Sequence, residues 1–319
     1  MAMNKVQYQP GLPMLEFFDT YGAQDQCEAL VRAWRWPQGF VCPRCSGTWH
    51  SEFRRQQRLY FQCGACRYQC SLVSGTIFES SKLALPTWLL AMHLITQAKN
   101  SVSALELKRH LGVSYPTAWL VKHKLMEVMR RREESRQLTG RVEIDDAYLG
   151  GECPGGKRGR GSPNKVEFVA AVQTTESGEP VLVCLSKRAF TKESIKEFAE
   201  KSLAAPATLV SDGLGCFTAV RGTAILHEPH PTGGGAASAK HPSFLAVNTV
   251  LGNLKTALAG TYHAFGFDKY AHRYLAQVQY LFNRRFDLRS ILTRLARAAS
   301  QANPCPLLAV RAAACRSRG

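Results

Sequence analysis

The chain has 319 residues, 45% of them hydrophobic, enough to bury a substantial core and to form more than one domain without disulfides. Lys and Arg exceed Asp and Glu by 17, which favours a polyanionic partner, and nucleic acid before a membrane surface, because the longest apolar stretch, residues 85–95, is too short to span a bilayer. No basic region followed by an apolar segment opens the chain and the cysteines number eleven, so the composition argues against a secreted disulfide scaffold and for a cytoplasmic protein with bound metal or buried thiols.

Residues 1–38 carry no recognisable motif. Cys42-x2-Cys45 and Cys63-x2-Cys66 then follow with seventeen residues between them, the spacing of two knuckles closing a tetrahedral thiolate site. Four thiolates leave no open position, so the expected zinc is one structural ion, held in a ribbon over 39–80. The intervening TWHSEFRRQQRLYFQ alternates as a hairpin, and Cys70 falls outside the register. Arg44, Arg54, Arg55, Arg58 and Arg67 make the ribbon basic, which fits a DNA contact and an ordinary solvated face equally well.

Residues 81–132 turn helical. SVSALELKRHLGVSYPTAWLVKHKLMEVM reads as two helices broken at Leu111-Gly112-Val113-Ser114, with Ser114 as N-cap and Pro116 in the first turn that follows. This is a helix-turn-helix candidate, with Lys122 and Lys124, on either side of His123, as DNA contacts. A plain helical hairpin fits the same spacing. The polar run RRREESRQLTG lacks periodicity, and residues 133–140 are expected to be a linker.

Beyond it the elements read as strand (RVEIDDAYL), strand (167–175), tight turn, strand (180–187), a helix capped by Thr191, and a short buried strand, ATLVSD (207–212). That order predicts a mixed sheet whose fourth strand crosses back through the helix to lie parallel to, and beside, the first. Asp212, followed by Gly213, then stands next to Asp145 and Asp146. Carboxylates ending neighbouring strands repel unless a cation lies between them, and Mg²⁺ or Mn²⁺, held by one or two carboxylates and completed by phosphate and water, is the expected answer. A pair of such ions activates water or a 3′-hydroxyl for attack on a phosphodiester. Alternation puts Glu143 and Asp145 on one face and Val142, Ile144 and Asp146 on the other, without saying which face carries the site.

The later segment SFLAVNTVLGNLKTALAG offers amides and a lysine but no carboxylate. Asn248 and Lys255, seven residues apart, share a helical face with Gly252 between them, so Asn248 is read as a neutral oxygen ligand and Lys255 as a phosphate contact. Gly252 leaves room for a DNA backbone. In the glycine-rich stretch 151–165, Lys157, Arg158, Arg160 and Lys165 suit neutralisation of phosphates without reading bases.

The paired CxxC ribbon leading into SLVSGTIFESSKLALPTW, then LELKRHLGVSYPTAW, VEIDDAYLGG with KRGRG, SDG, VNTVLGNLKTALAGTYHAF, KYAHRYL and FNRRF occur in order across most of residues 40–290. Together they resemble the transposases of bacterial insertion sequences of the IS1595 (ISXO2-like) type, whose catalytic domain has the ribonuclease H-like fold of DDE enzymes. The resemblance implies that Asp145 rather than Asp146 is the first catalytic acid, Asp212 the second and Asn248 the third, with Lys255 following. It departs from the common acidic triad by one negative charge. Tyr262, His263, Arg284 and Arg285 fall in family-like stretches and are read as DNA contacts.

The expected architecture is multidomain: a zinc ribbon, a helix-turn-helix-like region, and an α/β ribonuclease H-like domain over 141–292, with residues 293–319 as a tail. The expected function is a Mg²⁺-dependent transposase with two catalytic ions. It would bind double-stranded DNA, both inverted-repeat ends and target, as a homo-oligomer that holds two ends. A zinc-ribbon regulator with a decayed site, or a nuclease that cuts without joining, remains the alternative.

Overall fold

The computed structural model describes residues 6, 8–149, 165–221, 223, 225–233, 241–262 and 267–312. The chain divides into two compact units, one joining Met1–Val128 to Phe286–Ala312 and the other formed by Met129–Arg285.

The first unit begins with helices α1 (Met14–Tyr21) and α2 (Gln24–Arg35), where no motif was legible. A three-stranded antiparallel sheet follows, β1 (His50–Arg55), β2 (Arg58–Cys63) and β3 (Gln69–Ser71). The β1–β2 hairpin turns at Gln56-Gln57, both with positive φ, the left-handed geometry that matches the twist of a two-residue turn. The ribbon does not begin at residue 39, because α2 is tied to its sheet: Arg32 pairs with Glu52 at 2.6 Å and Glu28 with Arg54 at 2.7 Å. Arg35 donates to the backbone carbonyls of Ser71, Leu72 and Ser74.

Helices α3 (Leu85–Gln97), α4 (Ala104–Leu111) and α5 (Tyr115–Glu133) come next. Ser103 caps α4 by accepting the N–H of Glu106, Gly112 ends it in the left-handed region at φ 63°, and Ser114 precedes α5 as expected. The helix-turn-helix lysines are a correction. Residues 121–129 of α5 are buried on every side, Lys122 donates to Val102 O, and Lys124 donates to Ile77 O and Glu79 O at 3.0 and 3.2 Å. A lysine whose ammonium is spent on buried carbonyls presents nothing to DNA, and burial pushes the Lys122 amine down to about 7.

The expected linker is also absent. Helix α5 runs through Glu133, whose buried carboxylate pairs with Arg284 at 2.5 Å and Arg136 at 2.8 Å, and the next strand starts at Leu138. The second unit is built on a five-stranded mixed sheet of β4 (Leu138–Leu149), β5 (Val166–Thr174), β6 (Pro180–Lys187), β7 (Leu203–Ser211) and β8 (Ile225–Pro229), ordered β6-β5-β4-β7-β8. Helix α6 (Lys192–Ser202), capped by Thr191, is the crossover that returns β7 parallel to β4. β8, a further parallel strand beside β7, was not read from the sequence.

Strand β5 is buried almost throughout because the sheet is covered on both faces. On one, Val142, Ile144, Val169, Ala171 and Leu209 meet Ile195, Phe198 and Ala199 of α6. On the other lie α7 (Leu245–Thr261) and α8 (Phe267–Phe282). Three antiparallel strands, a helix and a fourth strand parallel to the first, with helices after it, are the ribonuclease H-like arrangement. Residues 293–319 are not a tail as far as they are described: α9 (Leu288–Gln301) and α10 (Leu307–Ala312) belong to the first unit, where α9 packs on α2 and α3 and buries Ile291, Leu292 and Leu295. Among the described residues no helix is long and apolar enough to cross a membrane.

Candidate active site

The two knuckles bring Cys42, Cys45, Cys63 and Cys66 together with all four sulfurs within 4.8 Å of one another. Cys42 Sγ lies 3.6 Å from Cys66 Sγ, and Cys45 Sγ 3.5 Å from Cys63 Sγ. These separations are far too long for disulfides and close to the edge of a zinc–thiolate tetrahedron, roughly 3.8 Å for bonds of about 2.3 Å. Backbone N–H groups of Cys66 and Ala65 hold the Cys63 thiol down at about 6, the thiolate form a metal needs. The donor set therefore fits a structural zinc. Cys70 is buried beside Arg35 and outside the cluster, as its register predicted.

The second cluster forms where the sheet opens. β4 pairs with β7 only as far as Glu143 opposite Val210, then continues alongside β5, so Asp145 and Asp146 project past the end of β7. Asp212 follows the last residue of β7 and accepts the N–H of Leu214 at 3.0 Å, which turns the chain away through Gly213 at φ 83°. Carboxylate oxygens of Asp145, Asp146 and Asp212 come within 4.8 Å of one another. A crevice beyond the carboxyl ends of adjacent parallel strands is where open α/β sheets place ligands.

Burial, and then the charges of Asp146 and Asp212, push the Asp145 carboxyl up to about 7, against the opposing N–H of Asp146, at 2.9 Å, and the charge of Lys255. Ser211 fixes the base of the Asp212 turn: its hydroxyl meets His227 Nε2 at 2.9 Å and accepts the N–H of Gly213 at 3.2 Å.

Helix α7 contributes the remaining groups. Glu143, 2% exposed, accepts the N–H of Val247 at 3.0 Å and that of Ala246, and so holds the N-terminal turn of α7 to β4. Glu143 and Asp145 share a face by alternation, which makes the α7 side the side of the site and resolves what periodicity left open. Asn248 directs its amide nitrogen to Phe244 O at 2.9 Å, leaving Oδ1 as the atom it can offer a ligand. Lys255 is exposed and within electrostatic reach of Asp145. A Cβ at Gly252 would meet nothing, so the surface there is open.

The resemblance set Asp146 aside in favour of Asp145, yet the carboxylates of both meet that of Asp212, although strand alternation puts the two on opposite faces of β4. Sequence reasoning missed Glu143 as an anchor, whose signal was a carboxylate set between the apolar Val142 and Ile144. Lys165 is exposed, and Lys157, Arg158, Arg160 and His263 lie outside the described residues. Arg284 is buried against Glu133, and Arg285 donates to Val181 O and Pro180 O, so both guanidinium groups are engaged within the fold. Tyr262 donates to Gln277 at 3.4 Å and packs edge-on against Tyr274 at 4.9 Å.

A four-cysteine ribbon ahead of a ribonuclease H-like sheet, with carboxylates gathered at the ends of its two central parallel strands, places the chain in the ribonuclease H-like class with a candidate metal site. Residues 137–283 match the ISXO2-like transposase domain and residues 22–69 the transposase zinc-ribbon domain, both of the IS1595 type. The chain thus resembles IS1595-type transposases in both of these stretches, in order. It is 28% identical over 150 residues to an uncharacterized protein in transposable element ISH50 of Halobacterium salinarum, a match covering 46% of this chain and 49% of that one. The chain thus spans about half the length of this curated relative. A solved Mos1 transposase paired-end complex with left transposon end aligns at 11% identity and a TM-score of 0.22, over 65% of this chain and 78% of that one.

Proposed function

We propose that the protein is a DNA transposase that binds the terminal inverted repeats of its own insertion sequence and catalyses strand cleavage and strand transfer. The observation that carries this reading is the convergence of Asp145, Asp146 and Asp212 at the open end of the sheet within an ISXO2-like transposase domain. Asp145, Asp212 and the Asn248 Oδ1 would hold two Mg²⁺ or Mn²⁺ ions, and Asp146 adds the carboxylate that the Asn-for-Glu departure removes. Bound there, such ions polarise the attacking oxygen and neutralise charge on the phosphate.

The chain's own groups do the rest. Glu143 ties the first turn of α7, which carries Asn248, to β4; Lys255 would offer its ammonium to a phosphate; the Asp212 turn is held by Ser211 and Gly213. Lys165, exposed just before β5, suits a backbone phosphate. The substrate is double-stranded DNA, and cutting two ends in concert calls for a homo-oligomer bound to both.

The test is metal-dependent cleavage and joining on a labelled duplex carrying the DNA that flanks this gene, with wild type and Asp145→Ala compared. Nicking at the element boundary and transfer of that end by wild type, both lost in the variant with duplex binding intact, is the expected result. Binding without cutting by wild type under either metal would move the reading to a DNA-binding regulator.

A further inference from the structure

The arginines of the ribbon fall into two groups that the sequence could not separate. At the hairpin end Arg32, Arg54 and Arg58 are engaged within the unit, with Glu52, with Glu28 and with Ser81 O, while Arg55 lies over the Phe53 and Tyr60 rings. At the knuckle end Arg44 and Arg67, each beside a thiolate ligand, are exposed and have no ion pair or side-chain hydrogen bond among the described residues.

Between the knuckles stands Trp49, 77% exposed, the most exposed aromatic side chain described in the chain. Its ring rests on the Gly64 backbone so closely that a Cβ there would fall 1.9 Å from the indole, and Gly64 directly follows the ligand Cys63. One face of the indole is therefore supported by the metal-held knuckle and the other is open. The Trp49 carbonyl also accepts the Gly64 N–H at 2.9 Å, which fixes the side chain's base. Resting on Gly64 with most of its surface in water, the indole is far more exposed than packing of the ribbon requires, on the same pair of knuckles that carry Arg44 and Arg67.

We infer that this knuckle end, Trp49 with Arg44 and Arg67, is a DNA-contact surface that grips a duplex through its phosphates and packs the indole against it. The occupant follows from charge: two unpaired arginines in a chain carrying a net charge of +17 complement a polyanion. The inference rests on the transposase reading, which requires DNA but leaves the ribbon's part in holding it unassigned. The mode is positioning rather than base reading, because arginine contacts to phosphate carry no sequence information.

The full-length, zinc-loaded chain is titrated with a labelled element-end duplex and with an unrelated duplex of equal length across a salt series. Wild type, Trp49→Ala and the double variant Arg44→Ala/Arg67→Ala are compared, with zinc content per chain measured for each. The double variant is expected to keep its zinc, to lose about tenfold in affinity on both duplexes, and to show a salt slope shallower by about two. Trp49→Ala is expected to lose about fivefold or more with the slope unchanged. Variants that retain zinc and bind both duplexes as wild type does would overturn the inference and leave the transposase reading intact. A wild type that binds neither duplex would overturn both.

Discussion

Glu143 on β4 accepts the backbone N–H of Val247, the residue before Asn248, at 3.0 Å, so a single buried carboxylate joins the strand that carries Asp145 to the helix that carries Asn248. Glu143→Ala leaves the first N–H groups of α7 without this acceptor in a buried setting, a loss of about 1–3 kcal/mol. If the proposed role of Asn248 holds, cleavage should fall more than stability accounts for, because the first turn of α7 is no longer tied to β4, while duplex binding holds. Glu143→Gln, whose amide oxygen can still accept, should recover part of both. Denaturant titration alongside the cleavage assay checks this, and a Glu143→Ala protein that cuts at the wild-type rate would remove the anchor from the mechanism.

The Asp145 carboxyl, raised to about 7 by burial and by its acidic neighbours, makes metal-free stability depend on pH. A folded-state value above the unfolded one means that the native state holds the extra proton, so stability falls as pH rises from about 4 to 7. The loss is on the order of 2 kcal/mol after allowance for partial exposure. Asp145→Asn should flatten that fall and raise the metal-free Tm at pH 8. Mg²⁺ should stabilise wild type far more at pH 8 than at pH 5, since it competes with the proton. Equal Mg²⁺ shifts of Tm at both pH values in calorimetry would contradict a metal held by this carboxylate.

Lys122 and Lys124 are structural, and their substitution should register in stability before DNA affinity. With the Lys122 amine lowered to about 7, the unfolded chain binds the proton more tightly, so its contribution is full above the unfolded value near 10.5 and is lost as pH falls through 7. Lys122→Met should weaken that dependence between pH 7 and 10. Lys124→Ala leaves the Ile77 and Glu79 carbonyls without their donor, at a cost of about 1–3 kcal/mol. If either variant instead binds duplex less tightly at unchanged Tm, α5 reaches DNA in a way its burial does not allow.

What could be read in advance follows from which forces are local. Knuckle spacing foretold the convergence of the four cysteines because a thiolate metal site needs them together, and the order of strands with one helical crossover placed Asp212 beside Asp145 because parallel return has a single hand. Lys122 and Lys124 misled because a helix buried on every side has no polar face for periodicity to find, and charge alone then looks like solvent exposure. The supposed linker misled for a related reason: Glu133 and Arg136 look solvated until Arg284, far along the chain, arrives to pair with Glu133. Helices α1 and α9 went unread because their role is to cover other elements, a tertiary fact.

β6 is an edge strand, and an unpaired edge invites pairing with another chain. The edge is closed by side-chain amides at the end of α8. Asn283 Oδ1 accepts the N–H of Val183 at 2.8 Å, its Nδ2 donates to Val183 O at 3.0 Å and to Glu133 at 2.8 Å, and Gln279 Oε1 accepts the N–H of Leu185 at 2.9 Å. Two amides one helical turn apart thus take the place of a missing strand. Asn283→Leu, close in size but unable to bond, should cost about 2–4 kcal/mol and expose the Val183 backbone, with concentration-dependent aggregation as the visible consequence. Asn283→Asp should fail as well, since it places a second carboxylate beside Glu133. Light scattering during thermal unfolding distinguishes this role from a DNA contact: an Asn283→Leu protein of unchanged Tm and solubility that had merely lost duplex affinity would show that the motif faces DNA and not the sheet edge.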